Sequence, residues 1–213
     1  MRTTPAADRP RLMIHLLADV PNFITLVGFC LSLLAMFFAL KHAFELALIS
    51  ALWAVVADWI DGWLAACIKS RPKEREEFGA NLDSFADLIS SGIFPAILLM
   101  AVGNLSMTAI LCALFVASAG VLRLSYFNVY GATEDGKVVG LPIAHNILVL
   151  TLLFLLRPFI RTEQFFPILA ATNSGLGILN IAPFFFPRGR AAVIPWITGF
   201  AALSTVALLS MLD

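Results

Sequence analysis

The chain has 213 residues, is 60% hydrophobic with a mean hydropathy of +0.91, and only 13% of it is charged; soluble domains carry about 25% charged residues. A soluble fold of this composition would need a larger core than such a chain can enclose, so an integral membrane protein is expected. The formal net charge is zero, which leaves no global field to attract nucleic acid.

Residues 1–20 read as an interfacial segment on the cytoplasmic side, with 11–19 able to form a short amphipathic helix. The apolar stretch there is short and interrupted by His15 and Asp19, unlike a signal peptide. Pro21-Asn22 is expected to break the chain before the first span. Residues 21–213 then read as one membrane domain, an all-α polytopic helix bundle. Its spans are expected near 23–40, 44–68, 81–102, 107–129, 141–159, 165–186 and 191–212, each close to the ~20 residues that cross the hydrocarbon. The sixth is interrupted by Asn173, Gly175, Gly177, Asn180 and Pro183. If it is re-entrant, the count falls from seven crossings to six.

Charge placement orients the bundle. With the N-terminus inside, the inner segments hold Arg2, Arg9, Arg11, Lys69, Arg71, Lys73, Arg75, Lys137, Arg188 and Arg190, and the outer ones hold Lys41, Arg157 and Arg161. Ten against three agrees with the positive-inside rule. Cys30, Cys67 and Cys112 are scattered in apolar segments and read as small core residues. Trp53, Trp59, Trp63 and Trp196 read as lipid-facing or interfacial, and His145 as a hydrogen-bonded structural residue.

The informative stretch is 57–95, ADWIDGWLAACIKSRPKEREEFGANLDSFADLISSGIFP. Asp58 and Asp61 end the second apolar run, and Asp83 and Asp87 open the third. A carboxylate inside a membrane helix persists only where something compensates it. Residues three or four apart share a helix face, so each helix can present a pair, although Asp83 could also be read as a cap of its span. Four oxygen donors with no His or Cys among them suit a hard divalent cation, Mg²⁺ or Mn²⁺, rather than zinc, and two such ions could share them. Arg123 is the one basic residue well inside the fourth run. A carboxylate or a phosphate is its natural partner, and Asn128 is a weaker candidate of the same sort.

The spacing D-x2-D-G-x2-A…G-x3-D-x3-D over 58–87 resembles the signature of the CDP-alcohol phosphotransferases, membrane enzymes that move a phosphatidyl or similar group from a CDP-activated donor to an alcohol. FGANLDSFADLISSGIFPA (78–96), LRLSYFNV (122–129), GLP (140–142) and PNFIT (21–25) are similar to segments of the bacterial and archaeal phosphatidylserine synthases within that family. The resemblance covers about residues 20–145. It implies CDP-diacylglycerol as donor, L-serine as favoured acceptor, Asp87 as base, and Asp58, Asp61, Asp83 and Asp87 around two Mg²⁺ or Mn²⁺ ions. It also implies Asn22, Thr25, Gly62, Ala65, Gly79, Lys69 and Arg71 on the nucleotide side, and Arg123 and Asn128 toward the acceptor or a phosphate. A homodimer in the bacterial or archaeal plasma membrane is implied, with the site at the cytoplasmic face. Glycerol phosphate or an inositol phosphate are rival acceptors. A non-catalytic homologue, or a cation or lipid transporter using the same acidic site, is the alternative of another class. The chain departs from the family pattern in two places. Ala66 stands where the family has Arg, and twelve residues rather than about eight lead from there to Gly79, so Lys69, Arg71 or Lys73 would have to supply the charge.

Overall fold

The computed structural model describes residues 12–187, 189 and 191–212. Of the basic residues used for orientation, Arg2, Arg9, Arg11, Arg188 and Arg190 lie outside the described residues, as does most of the 1–20 segment. Among the described residues the architecture is all-α apart from one small strand pair. The helices are α1 (Val20–Leu40), α2 (Phe44–Cys67), α3 (Lys73–Asp87), α4 (Phe94–Val102), α5 (Met107–Tyr130), α6 (Ala144–Leu155), α7 (Thr162–Ile181) and α8 (Ile194–Leu209).

Among the described residues, four helical stretches are long and apolar enough to cross a membrane: Val20–Leu40, Lys73–Val102, Met107–Tyr130 and Ala191–Leu209. α2 and α7 have 24 and 20 residues, also enough by length. α6 has 12 residues, about 18 Å at 1.5 Å per residue, and the rest of that expected span is a 3₁₀ turn at Arg157–Phe159. By length the weak crossing is the fifth; α7 runs unbroken through Asn173, Gly175 and Gly177 but is not among the four stretches apolar enough to cross, so the sixth stays weak in composition.

α1 and α2 form the central antiparallel pair. Gly28, Ser32, Ala35 and Ala39 of α1 are buried against Ala47, Ala51 and Ala54 of α2, and small side chains let the two backbones approach. Leu48, Leu52 and Val55 of α2 then join Phe94, Leu98 and Leu99 of α4, Ile147, Leu150 and Phe154 of α6, and Leu169 of α7 in the core. At the end of α2 far from its aspartates, Phe154 meets Phe165 edge-on at 5.0 Å. There Arg157 lies 5.8 Å over Phe44 and 3.4 Å from Glu45.

Several boundaries differ from expectation. Pro21-Asn22 does not break the chain before α1 but lies in its first turn, where the missing N–H of proline is no loss. Among its described residues, the 11–19 segment holds a 3₁₀ turn at Met13–Leu17. The third span starts at Lys73, not 81. Its first turns are polar and partly exposed, so hydropathy does not register them although the helix is continuous. Asp83 is therefore mid-helix and caps nothing. Between α3 and α4 the helix widens into a π turn, Leu88–Ile93. Pro95 gives no N–H to the carbonyl of Ser91 and its ring crowds it; a π turn relieves such crowding and recurs at functional sites. There Gly120 of α5 presses on Gly92, and a Cβ added at Gly120 would stand 2.9 Å from the Cα of Gly92. The strands β1 (Lys137–Val139) and β2 (Phe185–Pro187) pair antiparallel, Val138 opposite Phe186. Hydropathy instead assigns 185 and 186 to a span and 137–139 to a loop. Two short extended segments far apart in the chain leave no periodic signal, and their pairing is set by where α5 and α7 end.

Candidate active site

The last turns of α2 and the third and fourth turns of α3 face one another because the link between them, residues 68–72, is short. That brings Asp58 and Asp61 against Asp83, with one carboxylate oxygen from each lying within 4.8 Å of the others. Asp87, one turn further along α3, lies beside Asp58 and lines the same cavity. The four aspartates singled out by spacing are thus one cluster. Thr25 of α1 supports it, since its hydroxyl donates to Asp61 Oδ2 and also lies 3.0 Å from the carbonyl of Pro21.

The cluster forms the floor of a cavity of about 610 Å³, within the usual range for small-molecule sites. Its walls include Asn22, Thr25, Gly62, Ala65, Ala66, Arg71, Gly79 and Arg123. Arg123 is 7% exposed and lies 5.3 Å over the Phe127 ring, with its charge acting on Asp87. Arg71 acts instead on Asp61. Gly79 is required by geometry, because a Cβ there would collide with Asn22 Oδ1. The Asn22 side chain is itself a tie: its amide donates to the carbonyls of Leu16 at 3.0 Å and Arg75 at 3.2 Å.

Two expected residues are not in the wall. Lys69 is exposed just beyond the end of α2. Asn128 exchanges hydrogen bonds with Ser84, its Nδ2 donating at 3.1 Å; five residues on from Arg123, it sits about 140° round the helix. Other wall residues escaped the sequence reading. Trp59 and Trp63, expected at the lipid interface, line the cavity, as do Phe127, Val138, His145, Gly189 and Ala191. The Trp59 ring lies against Gly189. The one available signal was that Trp59 and Trp63, four apart, bracket Asp61 and Gly62. Val138, Pro142, Ile143, Gly189, Ala191 and Ile194 reach the cavity only through the fold. His145 accords with its structural reading, its ring lying 3.2 Å from the carbonyl of Pro142 and 5.1 Å from Phe186.

Chemically, the cluster offers oxygen donors alone, partly or fully withdrawn from solvent and drawn from two rigid helices. That donor set fits a hard divalent cation. Carboxylates this close inside a membrane protein need positive charge beside them, and Arg71 and Arg123 are the described Lys or Arg side chains in the wall.

Fold and cavity together define a polytopic integral membrane protein with an acidic site enclosed by its helices. A family model described as CDP-alcohol phosphatidyltransferase matches residues 18–181. The chain is 32% identical over 175 residues to the CDP-diacylglycerol–serine O-phosphatidyltransferase of Bacillus subtilis, covering 79% of this chain and 90% of that protein. It is 29% identical over 171 residues to the archaetidylserine synthase of Methanothermobacter thermautotrophicus, covering 79% and 70% respectively. A third relative, the CDP-diacylglycerol–serine O-phosphatidyltransferase of Methanocaldococcus jannaschii, is 30% identical over 138 residues, 64% of this chain and 61% of that one. The chain belongs to the CDP-alcohol phosphatidyltransferase family, and it is an enzyme of that family.

Proposed function

We propose that this enzyme transfers a phosphatidyl group from CDP-diacylglycerol to L-serine, giving phosphatidylserine and CMP. The observation that carries the proposal is the four-aspartate cluster at the floor of a cavity that also holds Arg123 beside Asp87. Serine is the acceptor in the names of the Bacillus subtilis and Methanocaldococcus jannaschii relatives, and the wall chemistry agrees. A phosphorylated acceptor would bring a second multiply charged group into a cavity whose described arginines are two.

In this reading Asp87 accepts the proton of the serine hydroxyl. The hydroxyl oxygen forms a bond to the lipid phosphorus, the bond from phosphorus to the CMP oxygen breaks, and CMP leaves with that electron pair. A base must be within hydrogen-bond reach of the proton it takes, and Arg123 next to Asp87 is placed to hold the serine carboxylate there. Asp58, Asp61, Asp83 and Asp87 would hold Mg²⁺ or Mn²⁺, in all two ions, whose charge would offset that of the diphosphate and of departing CMP. Thr25 fixes the Asp61 carboxylate. Gly62 and Ala65 leave room for the nucleotide to lie close to backbone, and Gly79 makes room for the Asn22 side chain that holds Arg71 at the same wall. The Lys and Arg asymmetry of the sequence supports a site at the cytoplasmic face of a bacterial or archaeal plasma membrane, where lipid donor and soluble acceptor would both arrive. A homodimer is the expected assembly.

Reconstituting the enzyme in vesicles containing CDP-diacylglycerol tests the reaction. Serine and Mn²⁺ or Mg²⁺ should yield phosphatidylserine and CMP in equal amounts. Product with another alcohol but none with serine would refute the acceptor assignment.

A further inference from the structure

Among the described residues, two buried side-chain nitrogens have no hydrogen-bond partner, the Nε atoms of Arg71 and Arg123. Both arginines line the cavity. Buried donors are nearly always satisfied in native proteins, so an orphan pair on the walls of one cavity points to anionic groups that complete them. Arg123 faces Asp87, where the acceptor must sit to lose its proton. Arg71 faces Asp61 on the other helix, and its Nη2 lies so near Gly79 that a Cβ there would stand 3.2 Å from it.

Arg71 is also held in an unusual way. Its Nη2 donates to Asp19 Oδ2 at 2.5 Å and to Asn22 Oδ1 at 3.0 Å. Asp19 occupies the N-cap position of α1 but makes no side-chain cap; its carboxylate serves Arg71 instead. The Arg71 side chain is 8% exposed and that of Asp19 7%, so the pair is withdrawn from solvent. One end of the guanidinium is clamped while its Nε stays unpaired. Neighbouring cations do not compete for this place. Lys73 is 86% exposed and paired with Glu77 at 3.7 Å, and neither it nor Lys69 lines the cavity.

Resting on the phosphatidyltransferase reading above, we infer that Arg71 is the cation that grips the diphosphate of the CDP-linked donor, and that Asp19 and Asn22 are its positioning residues. A guanidinium clamped through Nη2 is fixed in orientation, and its Nε–H and Nη1 N–H groups are left as donors for phosphate oxygens. The charge comes from the link after α2 rather than from α2 itself, where Ala66 lines the same cavity. The N-terminal segment thereby becomes part of the donor site, because Asp19 precedes the first membrane helix.

The test uses purified full-length enzyme, with KM measured separately for CDP-diacylglycerol and for serine, and CDP binding measured by calorimetry. Arg71→Gln should raise the donor KM and the CDP Kd by about 10- to 100-fold, the loss of a hydrogen bond to a charged group, and leave the serine KM within about twofold. Asp19→Asn should shift the same two constants in the same direction by a smaller factor, and Asp19→Glu should restore them in part. Adding Ala66→Arg to Arg71→Gln should recover donor affinity, because the charge re-enters the cavity from the neighbouring helix. A merely structural link would give no rescue and would weaken serine and donor alike, and that result overturns the inference. If Arg71→Gln does not accumulate as folded protein, Asp19→Asn decides alone, and an unchanged CDP Kd overturns the inference. A wild-type enzyme that binds CDP through Arg71 but makes no phosphatidylserine would instead refute the acceptor reading and leave this one standing.

Discussion

The Thr25 hydroxyl donates to the Asp61 carboxylate, so the first helix of the bundle orients a carboxylate carried by the second. Residues that hold a metal-binding carboxylate in place typically contribute 10- to 100-fold to metal affinity or activity. Thr25→Val should therefore raise the Mg²⁺ or Mn²⁺ concentration needed for half-maximal CMP release by about tenfold or more, while Thr25→Ser should stay near wild type. A metal titration of the three proteins checks this, and equal midpoints would count against a metal-binding Asp61.

Metal removal gives a broader check. Chelation by EDTA should abolish CMP release, and added Mg²⁺ or Mn²⁺ should restore it. Asp58→Asn should weaken that restoration. Asp87→Asn should instead lower kcat by about 10²- to 10⁴-fold, the usual contribution of a positioned base, with metal affinity far less affected. If Asp87→Asn changed only the metal dependence and left kcat at saturating metal unaltered, Asp87 would serve as a ligand alone and not as the base.

Gly79→Ala adds a methyl group where Asn22 Oδ1 already stands. Asn22 is tied to Leu16 and Arg75 and has little freedom to retreat. Overpacking of this kind costs about 1–3 kcal/mol. Thermal unfolding in detergent should show the loss, accompanied by weaker CDP binding. Gly62→Ala is the control: a Cβ there meets nothing within 4 Å, so stability should be unchanged.

Asn146 and Asn180 are buried and face each other, each amide donating to the other's carbonyl oxygen, at 2.9 and 3.2 Å. Asn180 also donates to the carbonyl of Leu141 at 2.9 Å, fixing the turn that brings Pro142, Ile143 and His145 to the cavity. Asn180→Ala should destabilise by about 1–3 kcal/mol through the groups left unpaired. Asn146→Ala with Asn180→Ala should cost less than the sum of the two single changes. Strict additivity in a double-mutant cycle would show that the pair is not coupled.

What the sequence made legible follows from what hydropathy and helical spacing can register. The ends of α2 and α5 fall within one residue of expectation, because Lys41-His42 and the polar run from Gly131 bound clean apolar stretches. The aspartate spacing brought Asp58, Asp61, Asp83 and Asp87 to one place, because helix periodicity fixes the faces and a short link fixes the neighbours. The start of α3 was hidden, since Lys73 to Glu77 are helical but solvent-facing, and amphipathic turns at a membrane surface look like a loop to a hydropathy window. The π turn after Asp87 depends on Pro95 and on the crossing of Gly92 with Gly120, a tertiary contact. Trp59 belongs to the cavity only because residue 189 folds back over it. The tie from Asp19 to Arg71, across 52 residues, has no local signature at all.

The central claim is tested most directly by CMP release from CDP-diacylglycerol with serine, glycerol phosphate and inositol phosphate as alternative acceptors, each with Mn²⁺ or Mg²⁺ present. The account predicts release with serine at a kcat/KM well above that of either phosphorylated alcohol, lost in Asp87→Asn. CMP release that favours a phosphorylated alcohol, or that persists undiminished in Asp87→Asn, would contradict it.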